Sequence, residues 1–226
     1  MRNNKKSQII LPGELTSELA EETGIHIGDG SMNFYKARNK LKGLYQLRGH
    51  INDDKEHYQT RIKLIYEELF NLKINLREMP SSGVYGFQVW NTTLVDYKNK
   101  VLSLPLGKKL NFMVPKDIER NKSLSEHFLR GYFDTEGCLY LERKNNKLYP
   151  RVEFSTISEQ FFAQLKRILT NLNFRFCSST ENRAKNGWEN LYRLRINGIT
   201  MTNRWFNEIR PKNPKHINKF NIIRNL

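Results

Sequence analysis

Two acidic residues, Asp29 and Glu136, occupy matching positions in a short segment that occurs twice in this chain. The first copy reads Gly24-Ile25-His26-Ile27-Gly28-Asp29-Gly30, and the second reads Gly131-Tyr132-Phe133-Asp134-Thr135-Glu136-Gly137. An apolar run that ends in an acid and a glycine is typical of the last turns of a helix. The duplication therefore predicts two carboxylates, each at the C-terminus of a helix.

A carboxylate in that position needs a positive partner. The unsatisfied carbonyls at a helix C-terminus already carry roughly half an elementary negative charge. A hard cation with oxygen ligands would serve as the partner. We also expect Gly30 and Gly137 to adopt the left-handed backbone conformation that commonly ends a helix.

The two motif helices are expected to touch each other. Gly24 and Gly28 lie four residues apart, as do Gly131 and Thr135, so each helix presents small residues along one face. Small residues allow two helix backbones to approach closely, which would bring the two acids together. Two ordinary core helices with solvated acids would explain either copy alone, but two copies with the same spacing favour the paired arrangement.

The elements around each motif repeat in the same order, which predicts an α+β fold of two pseudo-symmetric αββαββα halves. Each half would contain one antiparallel sheet and form half of a saddle, with the two motif helices joining the halves. The alternating segments predict hairpins that pair 32–38 with 44–50 and 138–143 with 148–155, the second around a turn at Asn145 and Asn146. Amphipathic helices are predicted at 58–72 and 159–172.

The length of 226 residues suits two small cores better than one large one. We divide the chain into a first half (1–103), a linker (104–122) that contains Pro105, Gly107 and Pro115, and a second half (123–226).

The charge balance points to a polyanionic partner. Lys and Arg number 38 against 23 acids, which gives a formal charge of +15.

Two cysteines without a C-x-x-C pair indicate neither a disulfide framework nor a structural zinc site. No segment resembles a signal peptide or a membrane span, so we expect an intracellular protein without membrane contact. A prokaryotic cytoplasm is preferred over an organelle.

The two motif copies closely resemble the LAGLIDADG homing endonuclease family, in the monomeric form with two motifs per chain. Segments 23–30 and 129–137 fall on the motif, and the order of elements resembles the family over almost the whole chain. The first copy departs from the pattern at Glu22, His26 and Ile27. Ile27 stands at the acid position that is not catalytic in the family, and we interpret His26 as a core or interface histidine.

The resemblance implies phosphodiester hydrolysis that depends on Mg²⁺, for which Mn²⁺ could substitute. Asp29 and Glu136 would be the catalytic metal ligands, with the carbonyls of Gly28 and Thr135 completing the set. The family also carries a lysine at a comparable point of each half, which implies catalytic roles for Lys109 and Lys215. Lys108 and Lys212 are close competitors, and an ordinary phosphate-contacting or solvated lysine is an equally acceptable interpretation.

Polar side chains on the outward rows of the strands form the candidate DNA-binding surface. Alternation places one row of each strand on the helices and the other row outward. Arginine, glutamine and asparagine are the usual readers of base edges, and a β-ribbon fits the major groove. The predicted DNA-binding residues are Gln46, Arg48, His50, Asn75, Arg77, Gln88, Arg151, Glu153, Arg175, Arg193 and Arg195. Trp90 also falls on an outward row, and we assign it no role.

These observations predict a monomeric, site-specific endonuclease that cuts both strands of double-stranded DNA within a site of roughly two helical turns. An intron or a similar mobile element would encode it. An intein is less favoured, because the chain starts directly at the nuclease-like region. The alternatives are an RNA maturase that assists the splicing of intron RNA, a DNA-binding regulator on the same scaffold, and a structural RNA-binding protein. The two intact acids favour cleavage.

Overall fold

The computed structural model describes residues 8–225. In the first half, the motif helix α1 (Ser17–Asp29) is followed by the hairpin of β1 (Gly30–Ala37) and β2 (Lys40–His50). Helix α2 (Lys55–His57) continues through a π-helical turn (Tyr58–Ile62) into α3 (Lys63–Phe70). The strands β3 (Arg77–Met79) and β4 (Val84–Trp90) follow, and α4 (Thr92–Asp96) continues as a π-helical turn (Tyr97–Val101).

The second half repeats this order. A short helix α5 (Lys116–Arg120) precedes the second motif helix, α6 (Lys122–Glu136). The hairpin of β5 (Cys138–Lys144) and β6 (Lys147–Thr156), the helix α7 (Glu159–Asn171), and the strands β7 (Cys177–Glu181) and β8 (Leu191–Asn197) follow. Helices α8 (Ile199–Glu208) and α9 (Pro214–Arg224) end the described chain.

Each half contains one four-stranded sheet in which all paired strands are antiparallel. The strand orders are β1-β2-β4-β3 and β5-β6-β8-β7, so both halves share one topology. The predicted α+β fold with two pseudo-symmetric halves is confirmed. Helices α5 and α9 were not predicted, and α5 lies inside the segment that the sequence suggested as a linker.

The motif helices α1 and α6 pack together with backbone in contact with backbone. A Cβ added to Gly24 would lie 2.2 Å from the carbonyl oxygen of Phe128, and one added to Gly131 would lie 2.0 Å from that of Glu21. Only glycine permits an approach this close. The predicted contact between the two stripes of small residues is therefore present, and it joins the two halves.

The prediction of a left-handed backbone at Gly30 and Gly137 is wrong. Gly30 has φ −79° and ψ 150°, and Gly137 has φ −76° and ψ 156°, so both are extended and lead directly into β1 and β5. The requirement for glycine is steric. A Cβ at Gly30 would lie 2.4 Å from Nδ1 of His26, and a Cβ at Gly137 would lie 2.1 Å from Cδ2 of Phe133.

The hairpin turns agree with the sequence. Asn145 and Asn146 have φ of 51° and 58°, the pair of positive values that a two-residue type I′ turn requires. The first hairpin turns in the same way at Arg38 and Asn39, with φ of 47° and 60°. The predicted strands of both hairpins begin and end within a few residues of the observed strands. Between residues 8 and 225, no helix is both long and apolar enough to cross a membrane.

Glu22, where the first motif copy departs from the family pattern, is paired with polar side chains inside the core. Glu22 is fully buried and accepts hydrogen bonds from the Nζ of Lys98 at 2.5 and 2.6 Å and from the hydroxyl of Tyr66. A buried carboxylate is tolerated only when it is paired in this way. His26 is also buried, as expected, with its Nδ1 atom 3.1 Å from the hydroxyl of Tyr45.

Candidate active site

The close packing of α1 and α6 brings the ends of both motif helices together. A Cβ added to Gly28 would lie 1.9 Å from the Oγ1 of Thr135 and 3.1 Å from the Cγ of Glu136. Asp29 directly follows Gly28, so the two acids stand beside each other where the halves meet. Their charges interact, because Glu136 contributes to raising the pKa of Asp29.

Asp29 is half-buried, and its Oδ2 atom accepts a hydrogen bond of 2.8 Å from the hydroxyl of Tyr58. Burial is the largest effect that raises the pKa of Asp29, the nearby charges of Asp54 and Glu136 add to it, and the resulting pKa is about 7. The hydrogen bond from Tyr58 and the charge of Lys215 act in the opposite direction. Burial thus disfavours the charged form of the Asp29 carboxyl group, and a cation beside it would favour that form.

Lys109 occupies the C-terminus of α1. Its Nζ atom donates hydrogen bonds to the carbonyl oxygens of His26 (3.0 Å), Ile27 (2.7 Å) and Gly28 (3.0 Å). Burial lowers the pKa of Lys109 to about 8, although the charges of Glu136 and Asp29 raise it. The ammonium group therefore neutralises the negative end of the helix from which Asp29 extends.

Lys215 is held differently, by an acid of the first half. Its Nζ atom donates to Oδ1 of Asp54 at 2.7 Å, and the side-chain amide of Asn213 donates to the same oxygen at 2.8 Å. Oδ2 of Asp54 accepts from the backbone N–H of His50 at 2.8 Å. Hydrogen bonds from Lys215 and its charge hold the pKa of Asp54 below its usual range, against the effect of burial. Asp54 thus joins the halves beside Asp29.

The competing lysines make other contacts. Lys108 forms an ion pair of 3.2 Å with Glu189, and Lys212 contributes its backbone N–H to Asp134 at 2.8 Å while its side chain is exposed. The structure therefore brings Lys109 and Lys215, rather than these neighbours, to the two acids.

Glu136 stands at the mouth of a cleft of about 370 Å³ beside the helix ends. Its lining includes Gly28, Lys109, Glu136, Tyr132 and Ser155. The loss of water around the Glu136 carboxyl group raises its pKa, while the charges of Lys109 and Lys215 lower it. The residue itself is exposed, so a ligand that enters the cleft can reach its carboxylate.

The donors at this site fit a magnesium-type cation. Two carboxylates at the ends of two helices, with backbone carbonyls beside them, are hard oxygen ligands. In residues 8–225, no group of three or more His, Cys, Asp or Glu side chains forms a complete metal cage. Magnesium is commonly held by one or two carboxylates together with water and substrate phosphate. The carbonyl of Gly28 already accepts from Lys109, so one of the predicted ligands is shared.

On the first-half sheet, the predicted DNA-binding residues lie on the outward face. Gln46 and Arg48 alternate with buried Tyr45 and Leu47, and both donate to the Oε1 of Gln88 at 3.3 and 3.0 Å. His50 is exposed at the end of β2, and its Nδ1 accepts a hydrogen bond from the N–H of Asp53. Asn75 and Arg77 are exposed, Asn75 two residues before β3 and Arg77 at its first position.

On the second-half sheet, the predicted residues form a network of ion pairs. Arg195 donates to Glu153 at 2.5 Å, and Arg193 lies 3.8 Å from Glu153 and 2.6 Å from Glu181. Arg151 pairs with Glu142. Arg175 is exposed just before β7. Glu153 is therefore placed to hold two arginines in fixed orientations, in contrast to the uncharged glutamines of the first half.

Sequence reasoning missed Asp54, Tyr58 and Asn213. Asp54 directly precedes α2, Tyr58 begins the π-helical turn that follows α2, and Asn213 directly precedes α9. Nothing in the local sequence marks them, because their partners are far away along the chain. Tyr58 lies 29 residues from its hydrogen-bond partner Asp29, and Asn213 lies 159 residues from its partner Asp54. A short sequence motif cannot contain pairs this far apart.

Comparison with known proteins supports the resemblance seen in the sequence. Residues 123–209 match the model of a family described as LAGLIDADG-like domain. Among curated proteins, a glutamine–fructose-6-phosphate aminotransferase of Methanocaldococcus jannaschii is 23% identical over 186 residues, which are 82% of this chain. The chain spans 15% of the length of that relative, so the similarity concerns one segment of it.

Solved structures share the fold over most of the chain. A structure of I-DmoI in complex with DNA and Mn superposes with a TM-score of 0.60 at 18% identity, covering 87% of this chain and 97% of that one. The LAGLIDADG homing endonuclease I-GzeII in complex with its DNA target gives 0.56 at 10% identity, covering 91% and 87%. The LAGLIDADG meganuclease I-AabMI bound to uncleaved DNA gives 0.55 at 12%, covering 87% and 85%.

Proposed function

We propose that this chain, which carries a LAGLIDADG-like domain at residues 123–209 and has the fold of LAGLIDADG homing endonucleases, is a site-specific DNA endonuclease. It hydrolyses both strands of a recognition site of roughly two turns, acts as a monomer, and is encoded by an intron or a similar mobile element. The observation that carries the proposal is the placement of Asp29 and Glu136 side by side at the ends of α1 and α6.

Asp29 and Glu136 hold the divalent cations, with the backbone carbonyls of Gly28 and Thr135 as further ligands. Bound cations supply neutralisation of the phosphate charge, a water of lowered pKa and stabilisation of the leaving oxygen. Mg²⁺ is the expected cation, and Mn²⁺ would substitute. One carboxylate from each half provides one hydrolytic centre for each strand.

Lys109 and Lys215 supply fixed positive charge beside these centres. Preorganised charge of this kind stabilises the negative charge that builds on a phosphate during hydrolysis. Lys109 is fixed by three carbonyls of α1, and Lys215 is fixed by Asp54. Both ammonium groups are therefore held in place by the protein itself.

The outward faces of the two sheets bind the duplex. Strands fit the major groove, and the formal charge of +15 supports sequence-independent contacts to phosphate. The outward glutamines and Arg48 of the first half and the oriented arginines of the second half would contact base edges. Since the two rows differ in chemistry, the two half-sites should differ in sequence.

The test is cleavage of a duplex library in Mg²⁺, followed by sequencing of the ends produced. We expect ends that define one long site, and loss of cleavage with retained binding in Asp29→Asn and Glu136→Gln. Asp53→Asn, an exposed acid close to the site, is the matched control and should cleave normally. Salt-sensitive binding without cleavage in either Mg²⁺ or Mn²⁺ would overturn the proposal in favour of a binding protein on this scaffold.

A further inference from the structure

We infer that an apolar patch formed by Tyr35, Leu44 and Trp90 recognises the C5-methyl group of thymine in the outer part of the half-site bound by the first half. The inference deepens the proposed function and rests on it. Tyr35 is 46% exposed and Trp90 57% exposed. Their rings meet edge to face with centroids 5.9 Å apart.

The patch lies on the DNA-binding face of the first-half sheet rather than at its back. Leu44 pairs with Trp90 in the register of β2 and β4, and the next outward pair along these strands is Gln46 with Gln88. Tyr35 belongs to the outward row of β1, because it pairs with Lys42, which lies two residues before Leu44 on the same face of β2. The aromatic rings therefore continue the row of base-reading candidates away from the acids.

The charge around the patch selects a polyanion as its occupant. Residues 30–50, which form the β1–β2 hairpin, contain five Lys and Arg residues and no acid. Lys36, Arg38, Lys40 and Lys42 form no ion pair within residues 8–225, and Lys42 lies opposite Tyr35 in the register. An apolar surface surrounded by free cations matches a major groove, where phosphates flank the thymine methyl groups.

The second half lacks this patch at the matching positions. Arg151 pairs with Asn197 where Leu44 pairs with Trp90, and Glu142 stands where Tyr35 stands. Glu142 and Arg151 there form an ion pair. The preference for thymine methyl groups should therefore occur on one side of the recognition site.

The strand geometry gives the position of the contact. Tyr35 follows Gly30, the first residue after the catalytic helix, by five residues, which is about 17 Å along a strand. Base pairs rise about 3.4 Å each. The contact is expected about four to seven base pairs from the centre of the cleavage site.

The experiment selects cleaved duplexes from a library that is randomised in this window, for the unaltered chain and for Trp90→Ala. The unaltered chain should enrich thymine at one or two positions, and the variant should lose that enrichment. On the selected duplex, replacing such a thymine by uracil should weaken binding about three- to fivefold. In Trp90→Ala the same replacement should have no effect, which isolates the pairwise contact.

Trp188→Ala is the matched control, because Trp188 is an exposed tryptophan (61%) outside the patch. It should keep the sensitivity to uracil. The inference is overturned if thymine is not enriched, if uracil binds equally well, or if Trp90→Ala changes the oligomeric state instead of the base preference. Failure to cleave or bind any duplex would instead reject the proposed function.

Discussion

The Nζ atom of Lys215 lies 2.7 Å from the Oδ1 atom of Asp54, across the boundary between the two halves. Within residues 8–225, its counterpart Lys109 makes no such contact with an acid and is held by the carbonyls of α1. The pseudo-symmetric halves thus fix their lysines by different means. An acid that the first half contributes determines where the lysine of the second half lies.

Replacing Asp54 by Asn should reduce the cleavage rate about tenfold to a hundredfold while affinity for the duplex changes little, because Lys215 loses its anchor. Removing the charge of Asp54 also lowers the pKa of Asp29, so the acidic limb of the pH–rate profile should move to lower pH. Rates under single-turnover conditions between pH 5 and 9 test both effects. Asp53→Asn is the control, and a variant with unchanged rate and profile would contradict the role.

Replacing Lys109 by Met should slow cleavage about a hundredfold, because a buried cation is removed from the site where charge develops. The loss should raise the pKa of Glu136, whose carboxylate the charge of Lys109 stabilises. A nicking assay on labelled strands measures the effect on each strand. Lys108→Met is the control, since Lys108 pairs with Glu189 away from the acids. Equal effects of the two variants would argue against the assignment.

The affinity for Mg²⁺ should increase with pH up to about pH 7. Asp29 has a pKa of about 7, so a proton competes with the cation below this value. Affinity should therefore fall up to tenfold for each pH unit below 7. Mn²⁺ is titrated in place of Mg²⁺ at pH 6, 7 and 8, and electron paramagnetic resonance of the unbound ion gives the affinity at each pH. In Asp29→Asn the pH dependence should weaken, leaving only the contribution of Glu136, whose pKa is also raised; if it persists unchanged, another group controls binding.

Asp29→Asn should also stabilise the protein at neutral pH. Because its pKa is higher in the folded than in the unfolded state, the folded state binds more protons between about pH 4 and 7, and stability falls as pH rises through this range. The asparagine side chain does not ionise, so the variant does not lose stability as the pH rises through this range. Its thermal midpoint should exceed that of the unaltered chain at pH 8 and approach it near pH 4. A midpoint lower at pH 8 would show that Asp29 is not under electrostatic strain.

Glu21→Gln should destabilise the protein by about 3 kcal/mol at pH 7. Arg61 and Arg130 donate to the buried Glu21, and together with His127 they lower its pKa to about 2 despite burial. Because the folded pKa is depressed, the stabilisation is present above pH 4.5 and is lost as pH falls towards 2. Urea unfolding at pH 7 and pH 3 should show the difference shrinking at the lower pH. Glu18→Gln, at the exposed start of α1, should have little effect at either pH.

The chain by itself determined the duplication, the two acids, the outward rows of the strands and the order of elements. These features depend on local periodicity and on residue types that repeat, so they can be read without coordinates. The stripes of small residues were sufficient to predict that α1 and α6 touch, because only glycine allows that approach. The same reasoning failed at Gly30 and Gly137, where contacts with His26 and Phe133 rather than backbone conformation require glycine.

The tertiary structure alone decided which lysines reach the acids and which groups surround them. The resemblance favoured Lys109 over its neighbour Lys108, but only the folded chain shows that the Nζ atom of Lys109 reaches the carbonyls of α1. Asp54, Tyr58 and Asn213 reach the site from separate elements, and their hydrogen bonds form only when both halves are folded. The pKa of Asp29 depends on this assembly, because burial and the charges of distant residues set it. Local sequence encodes the elements and their faces, whereas the electrostatics of the site depend on long-range packing.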